Sequence, residues 1–134
     1  LAEAALEKLA PHTGKQRKWT AGVPLPGGDF PVDGAPALIA GLTADFPFLT
    51  AAWAKRLVRA YGTEARDILD GAKTAADLGR DFGATLTEAE VNWLMAREWA
   101  RTADDVLWRR TKLGLRIDAD GAAALDAFMQ AADR

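Results

Sequence analysis

Residues 85–116 have the sequence TLTEAEVNWLMAREWARTADDVLWRRTKLGLR, and they hold the clearest helix signals in the chain. Thr87 and Glu90 have the spacing of a capping box, in which a hydroxyl and a carboxylate each bond a free backbone N–H at a helix start. This box predicts a helix that begins at Glu88. Four apolar side chains then share one face of a 3.6-residue period: Val91, Leu94, Met95 and Trp99.

A second helix signal follows directly. Thr102 is a suitable N-cap, and Asp104 and Asp105 fall in the first turn, where the positive end of the helix dipole favours carboxylates. Gly114 is the expected C-cap. We therefore predict that residues 85–116 form a helix–turn–helix hairpin and that the other helices pack around it.

Two charges fall inside the apolar faces of this hairpin by helical angle: Glu98 and Arg110. A charge on a buried face needs a partner, because its desolvation costs several kcal/mol. We predict that Glu98 and Arg110 pair with each other or with a neighbouring charge such as Arg101 or Arg109. A structural ion pair is the favoured interpretation, and a ligand site is the alternative.

The chain before this hairpin has three parts. Residues 1–10 form an amphipathic pattern without an N-cap that ends at Pro11, so we expect the end of a preceding domain or a hinge helix, and a fragment of a longer protein. Residues 11–34 are rich in Pro and Gly and predict a long extended strap. Residues 35–134 form the helical domain, with helix starts at Pro36, Thr50, Thr74 and Asp118. The predicted fold is all-α, an irregular bundle of about six short helices.

Composition sets limits on function. The chain has 134 residues, a net charge of −2 and no cysteine, which fits one soluble domain without disulfides or thiolate metal sites. No run of 18 or more apolar residues predicts a membrane span. A strong basic excess, typical of nucleic-acid binders, is absent.

The chain also lacks a catalytic constellation. Its one histidine, His12, lies in the strap, and there is no serine. Gly27 and Gly28 are explained more simply by a turn than by an anion-binding nest. We therefore predict no catalytic residue, no metal site and no cofactor site in this chain.

One alternative is an autonomous interaction module in which the hairpin binds nucleic acid. The residues that would make the contact are Trp108, Arg109, Arg110, Lys112 and Arg116. Asp104 and Asp105 oppose this alternative, because they would face the phosphates from the start of the second helix. We therefore expect no nucleic-acid partner.

Several strings in the chain resemble one protein family. They are LAEAALEKLAPH, the pair Trp19-Thr20, PLPGGDF, YGTEARDIL, ADLGRDFGA and EWARTADDVLWRRTKLGL, in that order. Together they resemble the C-terminal domain of the FAD-dependent, membrane-associated glycerol-3-phosphate dehydrogenases over nearly the whole chain.

This resemblance implies a non-catalytic cap domain. Its parent would bind FAD in an N-terminal flavin domain, oxidise glycerol 3-phosphate to dihydroxyacetone phosphate and pass electrons to quinone. The resemblance also implies a cytoplasmic domain whose parent is peripherally associated with the cytoplasmic membrane. No cofactor-binding residue of the family matches a residue here.

A cap of this kind needs a docking surface for its own flavin domain, and a second copy of the chain is a further expected partner. The candidate docking residues are aromatic and basic side chains. They are Trp19, Phe30, Trp93, Trp108, Arg109 and Lys112. Burial within the domain is the favoured alternative for Trp93 and Trp108, and a solvated basic rim is the favoured alternative for Arg109 and Lys112.

Overall fold

The computed structural model describes residues 1–14 and 17–132, and in those ranges the chain forms helices and turns but no strand. The predicted all-α fold is confirmed. Six α-helices follow one another: α1 Ala2–Thr13, α2 Ala35–Asp45, α3 Ala51–Tyr61, α4 Ala65–Ile68, α5 Glu88–Arg97 and α6 Ala119–Ala132. A π-helix, Asp105–Arg110, and three 3₁₀ turns, Gly62–Glu64, Ala75–Leu78 and Leu113–Leu115, lie between them.

The predicted strap and helical domain include four residues that lie outside the described ranges: Lys15, Gln16, Asp133 and Arg134. The described residues 17–34 form turns and non-helical backbone between α1 and α2. The division of the chain into segments 1–10, 11–34 and 35–134 stays a prediction. None of the described helices combines the length and the apolar character that a membrane span requires.

The first helix is longer than the sequence pattern indicated. Pro11 was expected to end it, but α1 continues to Thr13 with Pro11 inside its last turn. A proline there removes only one backbone donor, and the N–H of Gly14 still bonds the carbonyl of Ala10 at 2.9 Å. No residue of α1 is buried.

The middle of the chain follows its helix signals. Pro36 lies in the first turn of α2, and the Thr50 hydroxyl accepts a hydrogen bond from the N–H of Trp53 at the start of α3. Gly62 ends α3 in the left-handed region, at φ +57°. Thr74 caps its 3₁₀ turn through a capping box with Asp77. At α6, Asp118 accepts a hydrogen bond of 2.8 Å from the N–H of Gly121.

The predicted hairpin is present in part. Helix α5 begins at Glu88 but ends at Arg97, so Trp99 is not on its apolar face. Trp99 adopts a left-handed backbone, φ +56°, and is 77% exposed, while the neighbouring Ala100 is fully buried. The second helix of the hairpin widens into the π-helix, where the N–H of Thr111 bonds the carbonyl of Val106 five residues before it.

The core lies among α2 to α6, the π-helix and the loops between them. Helix α2 packs on α3, and α5 packs on α4 and the π-helix. Phe82, in the link before α5, is buried against the ring of Phe128 on α6, with 5.5 Å between ring centroids. This aromatic contact connects the link before the hairpin to the last helix.

Candidate functional site

The most enclosed polar cluster in the described chain joins α3, α5 and the turn before α5. Glu90 on α5 is 1% exposed, and its two carboxylate oxygens accept hydrogen bonds of 2.6 Å from the guanidinium of Arg56 on α3. The Tyr61 hydroxyl donates to the same carboxylate at 2.7 Å. Arg56 also donates to the hydroxyl and the carbonyl of Thr85, at 2.9 and 2.7 Å. We call these four residues the Arg56–Glu90 cluster.

Burial and charge shift the pKa values of two members of this cluster, Arg56 and Tyr61. Burial opposes the charge of Arg56, but the hydrogen bonds and the charge of Glu90 outweigh it and raise the pKa of Arg56. Burial, reinforced by the negative charge of Glu90, raises the pKa of Tyr61, so its hydroxyl stays protonated and donates. A general acid or base needs a pKa near the working pH. Arg56 and Tyr61 therefore keep their protons, and the contact between Arg56 and Glu90 is a structural ion pair.

Sequence reasoning missed this cluster. It assigned Glu90 to a capping box with Thr87, but no side chain caps α5 at Thr87, and the Glu90 carboxylate points to Arg56 instead. A signal was present, since Glu90 lies four residues before Leu94 and the helical period places both on one face. Nothing in the sequence named Arg56 as the partner, because it lies 34 residues away.

The structure places the predicted pair Glu98 and Arg110 side by side at the edge of the core. Arg110 Nε lies 3.9 Å from Glu98 Oε2, and the guanidinium donates to the Glu98 backbone carbonyl at 3.1 and 2.9 Å. Both side chains are about one-third exposed. Burial raises the pKa of Glu98, and the positive charge of Arg110 opposes that effect. The pair is less buried than the helical angle implied, because α5 ends early and the π-helix departs from the 3.6-residue period.

Three of the predicted docking residues lie together on the π-helix and the turn after it, and we call them the hairpin rim: Trp108, Arg109 and Lys112. Trp108 is partly exposed and covers Gly114, where an added methyl group would lie 2.6 Å from the indole ring. Arg109 bonds Asp105 at 2.8 Å, and the Lys112 ammonium donates to the Trp108 carbonyl. The cations of the rim are thus engaged within the chain.

The other three predicted docking residues lie apart. Trp93 is partly buried on α5, with the guanidinium of Arg97 5.0 Å from its ring centroid. Phe30 is partly buried near α3, since an added methyl group on Gly62 would lie 3.2 Å from its ring. Trp19 is exposed, and its backbone N–H bonds the Glu3 carboxylate of α1 at 2.8 Å. The structure therefore separates the predicted set into a hairpin group and N-terminal residues.

Two features of the described chain bear on ligand binding: the placement of its acidic and histidine side chains, and the turn at Gly27 and Gly28. No group of three or more His, Cys, Asp or Glu side chains among them is placed to hold a metal. The backbone at Gly27 packs against the Tyr61 carbonyl, and Gly28 packs against the Leu25 carbonyl. The N–H of Gly28 donates to the Leu25 carbonyl at 2.8 Å, so this donor is engaged within the turn.

The comparisons with known proteins identify the family. The sequence model described as the C-terminal domain of alpha-glycerophosphate oxidase matches residues 18–134. The chain belongs to this family. It is 46% identical over 130 residues to the aerobic glycerol-3-phosphate dehydrogenase of Escherichia coli K12, covering 96% of this chain and 26% of the relative. It is 40% identical over 131 residues to a glycerol-3-phosphate dehydrogenase of Pseudomonas aeruginosa, covering 97% of this chain and 25% of the relative.

A third relative has a different name. The D-erythritol 1-phosphate dehydrogenase of Brucella abortus is 37% identical over 132 residues, which cover 96% of this chain and 26% of the relative. The chain thus spans about a quarter of the length of the relatives it matches. The resemblance noted in the sequence is confirmed at the level of the family, and no comparison supports the nucleic-acid alternative.

Proposed function

We propose that this chain is the non-catalytic helical C-terminal domain of an FAD-dependent enzyme that oxidises glycerol 3-phosphate to dihydroxyacetone phosphate. The observation that carries the proposal is the 46% and 40% identity to two glycerol-3-phosphate dehydrogenases over nearly the whole chain. FAD would be held entirely outside this chain. The parent enzyme would pass its electrons to quinone at the cytoplasmic face of the membrane.

The structure supports a non-catalytic role in a specific way. The only strongly buried charged side chain, Glu90, is fully engaged by Arg56 and Tyr61 among the described residues. No buried side-chain nitrogen or oxygen of the described chain lacks a hydrogen-bond partner. A catalytic group would have to be available to substrate, and this domain holds its buried polar groups for its own stability.

The first experiment is dye-linked oxidation of glycerol 3-phosphate by three versions of the protein. They are the full-length protein, the upstream portion alone and residues 1–134 alone. We expect dye reduction by the full-length protein and none by residues 1–134. The flavin absorbance of the upstream portion serves as its folding control. A full-length protein that binds no flavin, and that oxidises neither glycerol 3-phosphate nor D-erythritol 1-phosphate, would overturn the proposal.

The substrate is tested in the same assay. D-erythritol 1-phosphate is the matched competitor, because one relative carries its name. We expect a higher kcat/KM for glycerol 3-phosphate, since two relatives of higher identity are named for that substrate. A higher kcat/KM for D-erythritol 1-phosphate would still be consistent with a flavin-dependent dehydrogenase, but it would identify a different substrate. Replacing the dye with a soluble quinone or with oxygen then identifies the electron acceptor.

A further inference from the structure

Exposed apolar side chains are concentrated at the start of the described chain. Ten large hydrophobic side chains are exposed, and seven of them precede residue 33. These seven are Leu1, Leu6, Leu9, Trp19, Val23, Leu25 and Val32. We call α1 together with residues 17–32 the N-terminal face. Two of the seven, Leu6 and Trp19, line one groove, and exposed apolar side chains that cluster mark a contact site more often than single exposed residues do.

A groove runs along this face between α1 and the segment 17–20. Its volume is about 320 Å³. Its floor is apolar, from Leu6 and Ala10 on α1 and from Trp19 opposite them. Its rims are charged, with Glu7 and Lys18 joined at 3.4 Å. An apolar floor with a polar rim is the usual anatomy of a protein interface.

A specific contact joins the two walls of the groove. One carboxylate oxygen of Glu3 accepts hydrogen bonds from the backbone N–H groups of Trp19 and Thr20, both at 2.8 Å. Glu3 lies 16 and 17 residues before them, so the contact closes a long loop and fixes the distance between α1 and the returning segment. Side chains of this segment are nonetheless not buried in the described chain.

The occupant of this groove follows from what lies outside the chain. The relatives are about four times as long as the matched region, and the matching family is a C-terminal domain, so the remainder of such a protein lies upstream. The family model begins at Lys18, so α1 lies before the matched domain. The alignment with the first relative covers 96% of the chain, so at least part of α1 has a counterpart in that longer protein. Leu1 directly precedes Ala2 and Glu3, which line the groove, so an upstream segment would approach the domain next to the groove.

We propose that the groove between α1 and residues 17–20 is the seat of an apolar segment from the upstream portion of the same polypeptide. This inference rests on the proposed function in one respect only, namely that the polypeptide has an upstream portion. The Glu3 carboxylate is a positioning group that sets the groove width. The hairpin rim, whose cations are engaged within the chain, lies outside this contact.

Photo-crosslinking in the full-length protein tests the proposal. A photoreactive phenylalanine derivative replaces Leu6, in the groove, and Leu115 in a matched control. Leu115 is 78% exposed and Leu6 only 40%, so exposure alone favours the control. We expect Leu6 to form an intramolecular crosslink to an apolar upstream peptide, identified by mass spectrometry, and Leu115 to form none. A crosslink from Leu6 to a second copy, or no crosslink from Leu6, would overturn the proposal.

Limited trypsin digestion provides a second measurement. Arg17 and Lys18 line the groove, so an occupant protects them from cleavage. Leu6→Asp should speed cleavage at these two residues by about tenfold, because it raises the population of the open state, and Leu115→Asp should leave it unchanged. Equal rates in the two variants, with flavin absorbance intact, would contradict docking at the groove.

Glycerol 3-phosphate oxidation is measured on the same samples to separate this inference from the proposed function. A Leu6 crosslink in a protein that oxidises no polyol phosphate would support docking and overturn the proposed activity. Oxidation without the crosslink would support the activity and overturn docking at this groove.

Discussion

The helical core and the N-terminal face are both rich in apolar side chains, but only the core buries them. The first buried residue of the described chain is Leu42, and every residue of the N-terminal face is exposed or partly exposed. The core also encloses a charged pair, Arg56 and Glu90, whose polar atoms are matched in full. On the N-terminal face, the ion pair Glu7–Lys18 stands in solvent.

This contrast indicates which part of the domain stands alone. The core satisfies its apolar and polar groups from within the chain, so its stability depends on internal contacts. The N-terminal face has a defined shape, fixed by Glu3, but leaves its apolar groups uncovered. A substitution in the core should therefore change folding, and the same substitution on the N-terminal face should change association.

The largest expected effect is the loss of the buried carboxylate. Glu90→Ala leaves the guanidinium of Arg56 and the hydroxyl of Tyr61 without their partner inside the core. We expect a loss of about 3–5 kcal/mol in the free energy of unfolding, because an unpaired buried charge is retained. Urea denaturation followed by tryptophan fluorescence measures the change.

Glu7→Ala is the matched control for this prediction. It removes the same chemical group from the exposed ion pair with Lys18 on the N-terminal face. We expect a change within about 0.5 kcal/mol, as for most surface substitutions. If the two variants lost similar stability, the distinction between core and N-terminal face would be wrong.

The next effect concerns the point where the N-terminal face joins the core. Gly62, at φ +57°, packs against the Gly27 carbonyl, and the N–H of Thr63 donates to that carbonyl at 3.0 Å. Gly62→Ala should cost about 2–3 kcal/mol, because a Cβ is disfavoured at this φ and would collide with the Gly27 backbone. Thermal unfolding of the variant measures the loss.

Gly71→Ala separates the two causes. Gly71 has φ +77°, and an added Cβ there would meet no atom within 4 Å. We expect about 1 kcal/mol of destabilisation from the backbone conformation alone. Equal losses at Gly62 and Gly71 would show that the contact with Gly27 adds nothing.

The local signals in the sequence predicted the core better than the N-terminal face or the cluster. Capping residues such as Thr50, Thr74 and Asp118 act within three or four positions, so their helix starts were predictable. The Thr87 signal located the start of α5 at Glu88 correctly, but the capping box itself is absent, because the distant Arg56 binds the Glu90 carboxylate more strongly than a helix end does.

The positions of the aromatic residues depended on backbone features that no periodicity encodes. Trp99 was expected on the apolar face of α5, but the helix ends two residues earlier and Ala100 enters the core instead. Phe82, in the link before α5, is buried although it lies on no helix. Pro11 does not end α1, because the helix was already in its last turn. Such outcomes depend on contacts between segments far apart in the chain.

A smaller effect of opposite sign is expected at Trp99. A bulky residue at φ +56° is strained, and its side chain is 77% exposed, so little packing compensates for the strain. Trp99→Gly should stabilise the fold by roughly 0.5–1 kcal/mol, the relief of the left-handed backbone minus the flexibility that glycine adds to the unfolded chain.

Leu115→Gly is the control, because Leu115 is equally exposed but its φ is not positive. It should destabilise by about 0.5–1 kcal/mol. Thermal unfolding of both variants provides the comparison. A destabilised Trp99→Gly variant would show that the indole packs in the folded domain, and would make the hairpin resemble the core more than the N-terminal face.

The mildest prediction compares two carboxylates, one in each region, that both accept hydrogen bonds from two backbone N–H groups. Backbone N–H groups of Arg101 and Thr102 lower the pKa of Asp105 from 3.8 to about 2, and those of Thr20 and Trp19 lower the pKa of Glu3. A depressed pKa stabilises the fold above the unfolded value and is lost as the pH falls through the folded value. The unfolding midpoint of the wild type should therefore fall as the pH is lowered from about 4 to about 2, and Asp105→Asn should flatten this pH dependence.

Glu3→Gln should leave the global unfolding midpoint and its pH dependence unchanged, because no residue of α1 is buried. NMR should instead detect faster exchange of the Trp19 and Thr20 amides. A global slope that depended on Glu3 as much as on Asp105 would place α1 within the cooperative core and remove the contrast between the two regions.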